Sequence, residues 1–305
     1  MNIIPINRPY SSVILRQNLA VLNQTYPFLN IQTVGTSVLG APIPVIRLGI
    51  GANHVFYSAS IHANEWITSV LLMKFVENYC DAYLANGSLA NQSIRELFRR
   101  SSIFIMPMVN PDGVDLVTGE LSTTSQAYAH ATSISNRYPS IPFPDGWKAN
   151  INGVDLNLQF PAGWENAREI KYEQGFTSPA PRDFVGPGPL TEPEALAIYR
   201  FTLSHQFRLV IAYHTQGQEI YWNFQNINPP QGFRIGQEFA RVSGYSLEDV
   251  PYNSSFAGFK DWFIQNYRKP GYTIEAGVGE NPLPLSQFDE IYKDNLGILV
   301  LGAIL

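Results

Sequence analysis

The sequence predicts an α/β fold with three layers, α/β/α, in which helices cover both faces of a mixed, twisted sheet. Short apolar segments typical of buried strands alternate along the chain with segments of helical periodicity. Hydrophobic residues make up 45% of the 305 residues and charged residues 15%, which supports an extensive core and argues against disorder. We expect residues 1–305 to form a single domain, because no repeat, charge block or low-complexity linker divides them.

The individual elements follow from local patterns. Strands are expected at residues 45–49, 54–60, 103–108, 209–213 and 272–275. Helices are expected at residues 67–79, 195–207 and 233–242. The sequence Thr191-Glu-Pro-Glu194 matches a capping box, which predicts Thr191 as the N-cap of the second of these helices. The proline-rich stretches 141–146 and 178–189 are predicted to be loops.

Charge and hydropathy exclude two classes of partner. The net charge is −5 and no stretch concentrates Lys and Arg, so neither nucleic acid nor an anionic membrane is an expected partner. The longest apolar run, residues 297–305, is too short to span a bilayer and is predicted to belong to the last core helix. No signal peptide is predicted at the N-terminus. The default location is then the cytoplasm, or the cell wall if the chain is exported by another route.

Polar residues stand at the ends of several predicted strands. Each of these residues follows or ends a strand: His62, Asn110, His214 and Glu275. In sheets of this kind, sites gather at the carboxyl ends of the strands. The pattern therefore predicts a functional site along one edge of the sheet.

The sequence Ser60-Ile-His62-Ala-Asn-Glu65-Trp66 places a histidine and a glutamate three positions apart at a strand-to-helix turn. Both side chains are zinc ligands, and a catalytic zinc site uses three protein ligands and a water. Taken alone, the pair is more often a surface turn that has solvated side chains. His214, directly after an apolar strand, is the natural third ligand. His54 and His205 are expected at the surface.

Glu275 ends a predicted strand in the sequence Thr273-Ile-Glu275-Ala-Gly277. A carboxylate beside zinc is able to take a proton from water and pass it to a leaving amine. A salt-bridged glutamate at a strand end is the alternative when this motif is taken alone.

Together the motifs resemble the zinc metallocarboxypeptidases, the carboxypeptidase A superfamily. Their order is His-x-x-Glu at 62–65, Asn-Pro-Asp-Gly at 110–113, Gly-Val-Asp-Leu-Asn at 153–157, then His214 and Glu275. The resemblance extends from about residue 10 to the C-terminus. It implies one zinc peptidase domain over residues 1–305 and one Zn²⁺ ion held by His62, Glu65 and His214. It also implies that Glu275 is the general base.

The resemblance implies roles for three further residues. Asp155 matches the carboxylate that orients the first zinc histidine, a partner that metal-bound histidines usually have. Lys148 stands where the family has an arginine that steadies the oxyanion, and a lysine is still able to supply the charge. Tyr252 stands one position before the place of the family's mobile tyrosine, which is Asn253 in this chain.

Two departures bear on the substrate. The family's Asn-Arg pair, which grips a C-terminal carboxylate, is Asn157-Leu158 here, and a substrate-facing arginine is replaced by Asn64. The runs 153–164 and 214–222 are similar to the bacterial γ-D-glutamyl-L-diamino acid peptidases, which act on peptidoglycan stem peptides. Substrate recognition is then expected to use amide and acidic groups, with Asn64, Asn157, Gln216 and Glu219 as the candidates, and Tyr252 is a further candidate from the resemblance.

The predicted reaction is zinc-dependent hydrolysis of the γ-D-glutamyl–meso-diaminopimelate amide bond, with a peptide or muropeptide as the substrate. One alternative is an ordinary metallocarboxypeptidase that trims C-terminal residues, which the absence of arginine at Leu158 disfavours. A second alternative is a non-catalytic peptidoglycan-binding module. The intact set of candidate zinc ligands and base disfavours it. The sequence leaves open a cell-wall-binding module in a longer chain.

Overall fold

The computed structural model describes residues 2–305. Within this part of the chain the α-helices are α1 (Ser12–Thr25), α2 (Ile67–Leu84), α3 (Ile94–Arg100), α4 (Pro111–Val117), α5 (Gln126–Ser135), α6 (Trp164–Glu173), α7 (Pro193–Leu203), α8 (Gly232–Ser243), α9 (Phe259–Tyr267) and α10 (Phe288–Leu301). The strands are β1 (Asn30–Thr36), β2 (Pro42–Leu48), β3 (Asn53–Ala59), β4 (Ser88–Leu89), β5 (Gln92–Ser93), β6 (Ser101–Met106), β7 (Leu209–His214), β8 (Glu219–Tyr221), β9 (Ser246–Glu248) and β10 (Gly271–Glu275). No helix among the described residues is both long and apolar enough to cross a membrane.

The main sheet contains eight strands in the order β1-β2-β6-β3-β7-β10-β8-β9. The central strands β6, β3, β7 and β10 run parallel to one another. Strand β2 joins one side of this block antiparallel and β8 joins the other side antiparallel. The sheet is therefore mixed, and its parallel centre brings four strand carboxyl ends to one edge.

Apolar side chains of the central strands alternate between two cores. Val55 and Tyr57 face a core that α1, α2, α8 and α10 cover, whereas Phe56 faces a core that α6, α7 and α9 cover. A strand buried on both faces reads as a continuous apolar run, which is the pattern seen in β3, β6 and β7. The predicted three-layer α/β/α arrangement is confirmed.

The five predicted strands correspond to β2, β3, β6, β7 and β10, and the three predicted helices to α2, α7 and α8. The prediction for the start of α7 is wrong, because its N-cap is Glu192 rather than Thr191. Thr191 Oγ1 instead donates to Gln159 Oε1 at 3.0 Å. Pro193 occupies the first helical position, where its fixed φ suits the opening turn. The stretches 141–146 and 178–189 contain neither helix nor strand, as predicted.

His54 and His205, which were predicted to lie at the surface, are only partly exposed there. Both side chains are half-buried. Their rings pack against Phe104, with centroids 5.4 Å and 4.9 Å from it. An imidazole ring presents apolar faces as well as polar nitrogens, so it is readily accommodated at the edge of an aromatic cluster.

Candidate metal centre and active site

The parallel strands place two of the predicted residues side by side. Strand β7 ends at His214 and β10 ends at Glu275, and the register of the two strands pairs these residues directly. Paired residues on neighbouring strands project from the same face of the sheet. The imidazole and the carboxylate therefore leave the sheet edge next to each other.

The turn after β3 carries two further predicted site residues, His62 and Glu65. Ser60 adopts a left-handed φ of +49°, uncommon for a residue with a side chain. Its Oγ lies 2.6 Å from Ser69 Oγ, and its backbone N–H donates to Thr68 Oγ1 at 3.0 Å. Thr68 Oγ1 in turn donates to the Glu65 carbonyl at 2.7 Å. This hydroxyl network fixes the turn that directs His62 and Glu65 toward β7.

Three candidate ligands converge at this point. His62 Nδ1 lies 2.9 Å from Glu65 Oε1, and His214 Nδ1 lies 3.0 Å from Glu65 Oε2 and 3.2 Å from His62 Nδ1. Ligands at zinc bond lengths of about 2.0–2.2 Å in a tetrahedron are roughly 3.3 Å or slightly more apart. The three measured separations differ from this tetrahedral ligand–ligand distance by only a few tenths of an ångström. The donor set therefore fits zinc in both chemistry and size.

Asp155 lies behind His62. Its Oδ1 is 3.2 Å from His62 Nε2, the ring nitrogen that faces away from the cluster. The same carboxylate accepts from the backbone N–H groups of Asn157 and Asp183 at 3.1 Å each. Burial would raise the pKa of Asp155, but His62 and the hydrogen bond from Asp183 N–H outweigh it and lower the pKa, so the carboxylate stays ionised. A fixed anion in this place orients the imidazole and presents Nδ1 to the metal position.

The electrostatics of the cluster favour a cation. Burial alone would lower the pKa of His62, but Glu65 and Asp155 outweigh it and raise the pKa to about 9. Burial likewise opposes ionisation of Glu65, yet His62, Lys148 and His214 hold its pKa well below the usual value. Two buried carboxylates thus demand positive charge at the point where the ring nitrogens meet, which a divalent metal supplies.

Glu275 and Lys148 border the cluster. Lys148 Nζ donates to Glu65 Oε1 at 3.1 Å. Burial and the neighbouring charge of Glu65 raise the pKa of Glu275, while His214 and Lys148 act in the opposite direction. A carboxylate with a raised pKa is better suited to accept and return a proton than an ordinary surface glutamate.

A cavity of about 860 Å³ opens beside these residues. Its lining includes five of the residues predicted from the sequence: Asn64, Lys148, Asn157, Gln216 and Glu275. A smaller cavity of about 220 Å³ continues past the metal cluster. Its lining includes His62, Asp155, Asn157, Leu158 and His214. Most of the predicted catalytic and substrate-binding groups therefore line these two cavities, whereas Glu219 and Tyr252 line neither.

Tyr252 is an exposed residue that lies outside the lining of both cavities. Its side chain is 62% exposed, and its ring packs edge-on against Phe256 at 5.1 Å. Of the described residues in this segment, Pro251 and Asn253 contribute to the cavity linings, whereas Tyr252 does not. Its substrate-binding role stays a prediction.

Five charged residues of the larger cavity were missed by sequence reasoning: Asp145, Arg182, Lys260, Asp261 and Glu280. Arg182 lies in the proline-rich loop 178–189, which matches no motif. That loop reaches the site because Pro181 O accepts from the backbone N–H groups of Lys148 and Ala149 at 2.8 and 2.9 Å. The local signal for Lys260 and Asp261 was their position fifteen and fourteen residues before Glu275.

A sequence profile described as zinc carboxypeptidase matches residues 15–297. The chain belongs to the zinc carboxypeptidase family. It is also 45% identical over 298 residues to gamma-D-glutamyl-L-diamino acid endopeptidase 1 of Lysinibacillus sphaericus, an alignment covering 97% of this chain and 72% of that protein. The predicted family resemblance, zinc dependence and peptidase class are confirmed.

Solved structures agree on the fold of this zinc carboxypeptidase. Bovine thrombin-activatable fibrinolysis inhibitor, in complex with tick carboxypeptidase inhibitor, superposes with a TM-score of 0.72 at 19% identity, covering 98% of this chain and 97% of that one. Murein-tripeptide amidase MpaA from Escherichia coli O157 superposes with a TM-score of 0.57 at 20% identity, covering 89% and 91%. At such identities the likeness concerns the fold alone, and the predicted fold class is confirmed.

Lys148→Ala is expected to lower kcat/KM by roughly 10²–10³-fold, the usual effect of losing one donor to an oxyanion. Lys74→Ala is a matched control, because Lys74 also pairs with a buried glutamate and its side chain is 16% exposed against 17% for Lys148. Steady-state kinetics and zinc analysis of both variants test the role. Near-normal turnover in Lys148→Ala, or loss of zinc that accounts for the defect, would contradict it.

Proposed function

We propose that this chain hydrolyses the γ-D-glutamyl–meso-diaminopimelate amide bond of peptidoglycan stem peptides. The observation that carries the proposal is the 45% identity, over 97% of the chain, to a protein named for γ-D-glutamyl-L-diamino acid endopeptidase activity. The polar cavity beside the candidate metal centre supports it, since the leaving diamino acid is itself polar at both ends.

The residues of the site have separate roles in the proposed reaction. His62, Glu65 and His214 would hold the zinc ion, which supplies Lewis-acid polarisation of a carbonyl and acidification of water. Glu275 takes a proton from the attacking water and returns it to the leaving nitrogen. Lys148 places positive charge where the oxyanion develops. Asp155 keeps His62 in the orientation that the site requires.

The wall of the larger cavity disfavours an ordinary apolar peptide side chain. Lys260 Nζ lies 2.6 Å from Asp261 Oδ1, and both residues are buried in the cavity lining. An apolar group seated against this ion pair would remove water from it without replacing any hydrogen bond, which is costly. A diaminopimelate side chain carries an ammonium and a carboxylate of its own, so it meets the same wall with polar groups.

Mass spectrometry of two incubations tests the proposal. L-Ala-γ-D-Glu-meso-diaminopimelate is expected to be cut between glutamate and the diamino acid, and hippuryl-Phe to be cleaved poorly. Efficient hydrolysis of hippuryl-Phe with an intact stem peptide would instead establish an ordinary carboxypeptidase. Binding of the stem peptide without any cut, in zinc-loaded protein, would establish the non-catalytic binding module.

A further inference from the structure

The segment Thr191-Glu-Pro-Glu194, which the sequence predicted to be a capping box, contains two buried glutamates. Glu192 is 6% exposed and Glu194 is fully buried. Both accept from the same side-chain amide, because Asn150 Nδ2 lies 2.7 Å from Glu192 Oε2 and 3.2 Å from Glu194 Oε2. The two glutamates therefore make a long-range contact with a different part of the chain, in addition to their place at the start of α7.

A third buried carboxylate, Asp112, lies beside them. Two consecutive backbone N–H groups connect it to Glu194: Val38 N donates to Glu194 Oε1 at 3.0 Å, and Leu39 N donates to Asp112 Oδ2 at 2.8 Å. Among the described residues, no Lys, Arg or His forms an ion pair with Glu192, Glu194 or Asp112. Three buried carboxylates thus share neutral hydrogen-bond donors.

The elements packed around Glu194 add no compensating charge. Strand β1 packs against α7 and, like loop 37–41 and the segment 149–154, contains no titratable side chain. Asp115, the other acid of α4, is bonded to Ser12 instead. The one arginine of α7, Arg200, is exposed. The charge around Glu194 is therefore entirely negative.

This surrounding disfavours the ionised form of Glu194. Burial without a cationic partner is costly for a carboxylate, and a neighbouring like charge adds to the cost. Burial raises the pKa of Glu194 to about 7, and Asp112 acts in the same direction, although the hydrogen bonds from Val38 and Asn150 oppose the change. Glu194 therefore changes its charge close to neutral pH.

Asn150, the shared partner of the two glutamates, organises the segment that carries Lys148. Its Oδ1 accepts from the backbone N–H groups of Asn152 and Val154 at 3.1 Å each, which closes a turn directly before Asp155. Lys148 lies only two residues before Asn150. The position of the Asn150 side chain therefore bears on the backbone that presents Lys148 to the site.

We propose that Glu194 is a positioning residue that, as a neutral acid, holds Asn150 and through it Lys148 in place, so that ionisation of Glu194 lowers catalysis as the pH rises. A neutral Glu194 removes one of two like charges that meet at Asn150 Nδ2. When Glu194 ionises, two carboxylates compete for one amide, and both are repelled by Asp112. The proposal does not depend on which peptide the enzyme cuts.

Thermal stability tests the ionisation. The pKa of Glu194 is about 7 in the folded chain against an ordinary value of 4.5, so the folded state binds the proton more tightly than the unfolded state does. The resulting stabilisation is complete below the ordinary value and is lost as the pH rises to about 7. Relative to wild type, zinc-loaded Glu194→Gln should therefore gain about 2–5 °C in melting temperature between about pH 5 and about pH 8.

Steady-state kinetics test the positioning role. The ratio of kcat/KM in Glu194→Gln to that in wild type is expected to rise roughly 3–10-fold over the same pH range, mainly through kcat, because Lys148 acts on the oxyanion. In a Lys148→Ala background this ratio should stay constant, since Glu194 acts through Lys148. The stem peptide is the substrate, and hippuryl-Phe replaces it if that is the peptide that the enzyme hydrolyses.

A matched control and a spectroscopic readout separate this role from general effects of burial. Glu77→Gln is the control, because Glu77 is also fully buried but is ion-paired with Lys74; it should show no such gain in melting temperature with pH. The infrared spectrum of wild type should contain the carbonyl stretch of a protonated carboxyl at about pH 5 that fades by about pH 8. This band should be absent from Glu194→Gln.

Parallel pH profiles of kcat/KM in wild type and Glu194→Gln would overturn the positioning role. A pH-dependent ratio that persists in the Lys148→Ala background would overturn it as well, because the effect would then not pass through Lys148. A difference in melting temperature that is constant with pH, or a wild type without the protonated-carboxyl band, would overturn the neutral state of Glu194. The stability and infrared measurements need no substrate, so a failure of the proposed function leaves them decisive.

Discussion

Glu275→Gln is expected to retain zinc and lose activity by about 10²–10⁴-fold, the usual contribution of general acid–base catalysis. The amide is close in size to the carboxylate but cannot accept the proton of the attacking water. Glu275 is paired with His214 in the strand register but is not part of the three-residue metal cluster. Metal binding should therefore survive the substitution.

Steady-state kinetics on the stem tripeptide and metal analysis of the same preparation measure the two halves of this expectation. Glu290→Gln is a suitable control, because Glu290 is an exposed residue of α10. Near-normal turnover in Glu275→Gln would remove Glu275 from its role as general base. Loss of zinc would show instead that the carboxylate supports the metal.

His214→Ala is expected to release the metal and abolish turnover while the chain stays folded. One of three ligands is lost, and the remaining pair, His62 and Glu65, leaves the coordination incomplete. Folding should not depend on the ion. Two extensive apolar cores lie on either side of the sheet, unlike the small domains that fold only when zinc binds.

Metal analysis and far-ultraviolet circular dichroism of His214→Ala test both statements, together with chelator-treated wild type. His130→Ala serves as the control, since His130 is exposed on α5. Full zinc occupancy in His214→Ala would refute the ligand assignment. Collapse of the dichroism signal after chelation would refute the independence of folding from metal.

Edge strands show where local patterns were too weak. The strands β1, β8 and β9 were not predicted, and all three lie at or next to the edges of the sheet. Strand β1 contains no buried residue, and β8 and β9 contain three residues each. Such segments lack the continuous apolar run of a strand that is buried on both faces, so their pairing depends on the central strands already being in place.

The start of α7 illustrates a competition that the sequence does not resolve. Thr191 has the right chemistry for an N-cap, but its hydroxyl and backbone N–H both donate to Gln159 Oε1. A partner 32 residues away in the chain thus takes the donor that a capping box would have used. Local capping rules cannot anticipate a distant acceptor.

The sequence by itself determined the three-layer α/β/α arrangement and the polar residues at the strand ends. A histidine or glutamate that directly follows an apolar strand lies at the carboxyl end of that strand, and this placement follows from the local sequence. For this reason His62, Glu65, His214 and Glu275 could be assigned candidate roles before their neighbours were known.

Only the tertiary structure decided which further charged groups line the cavity. Arg182 reaches the cavity because Pro181 O accepts from Lys148 N and Ala149 N, and because Asp183 N donates to Asp155. These backbone hydrogen bonds join segments separated by about 30 residues, and no local periodicity encodes them. A loop has no repeating pattern to fix its course, so the charge that it brings to a site becomes visible only when its long-range contacts are known.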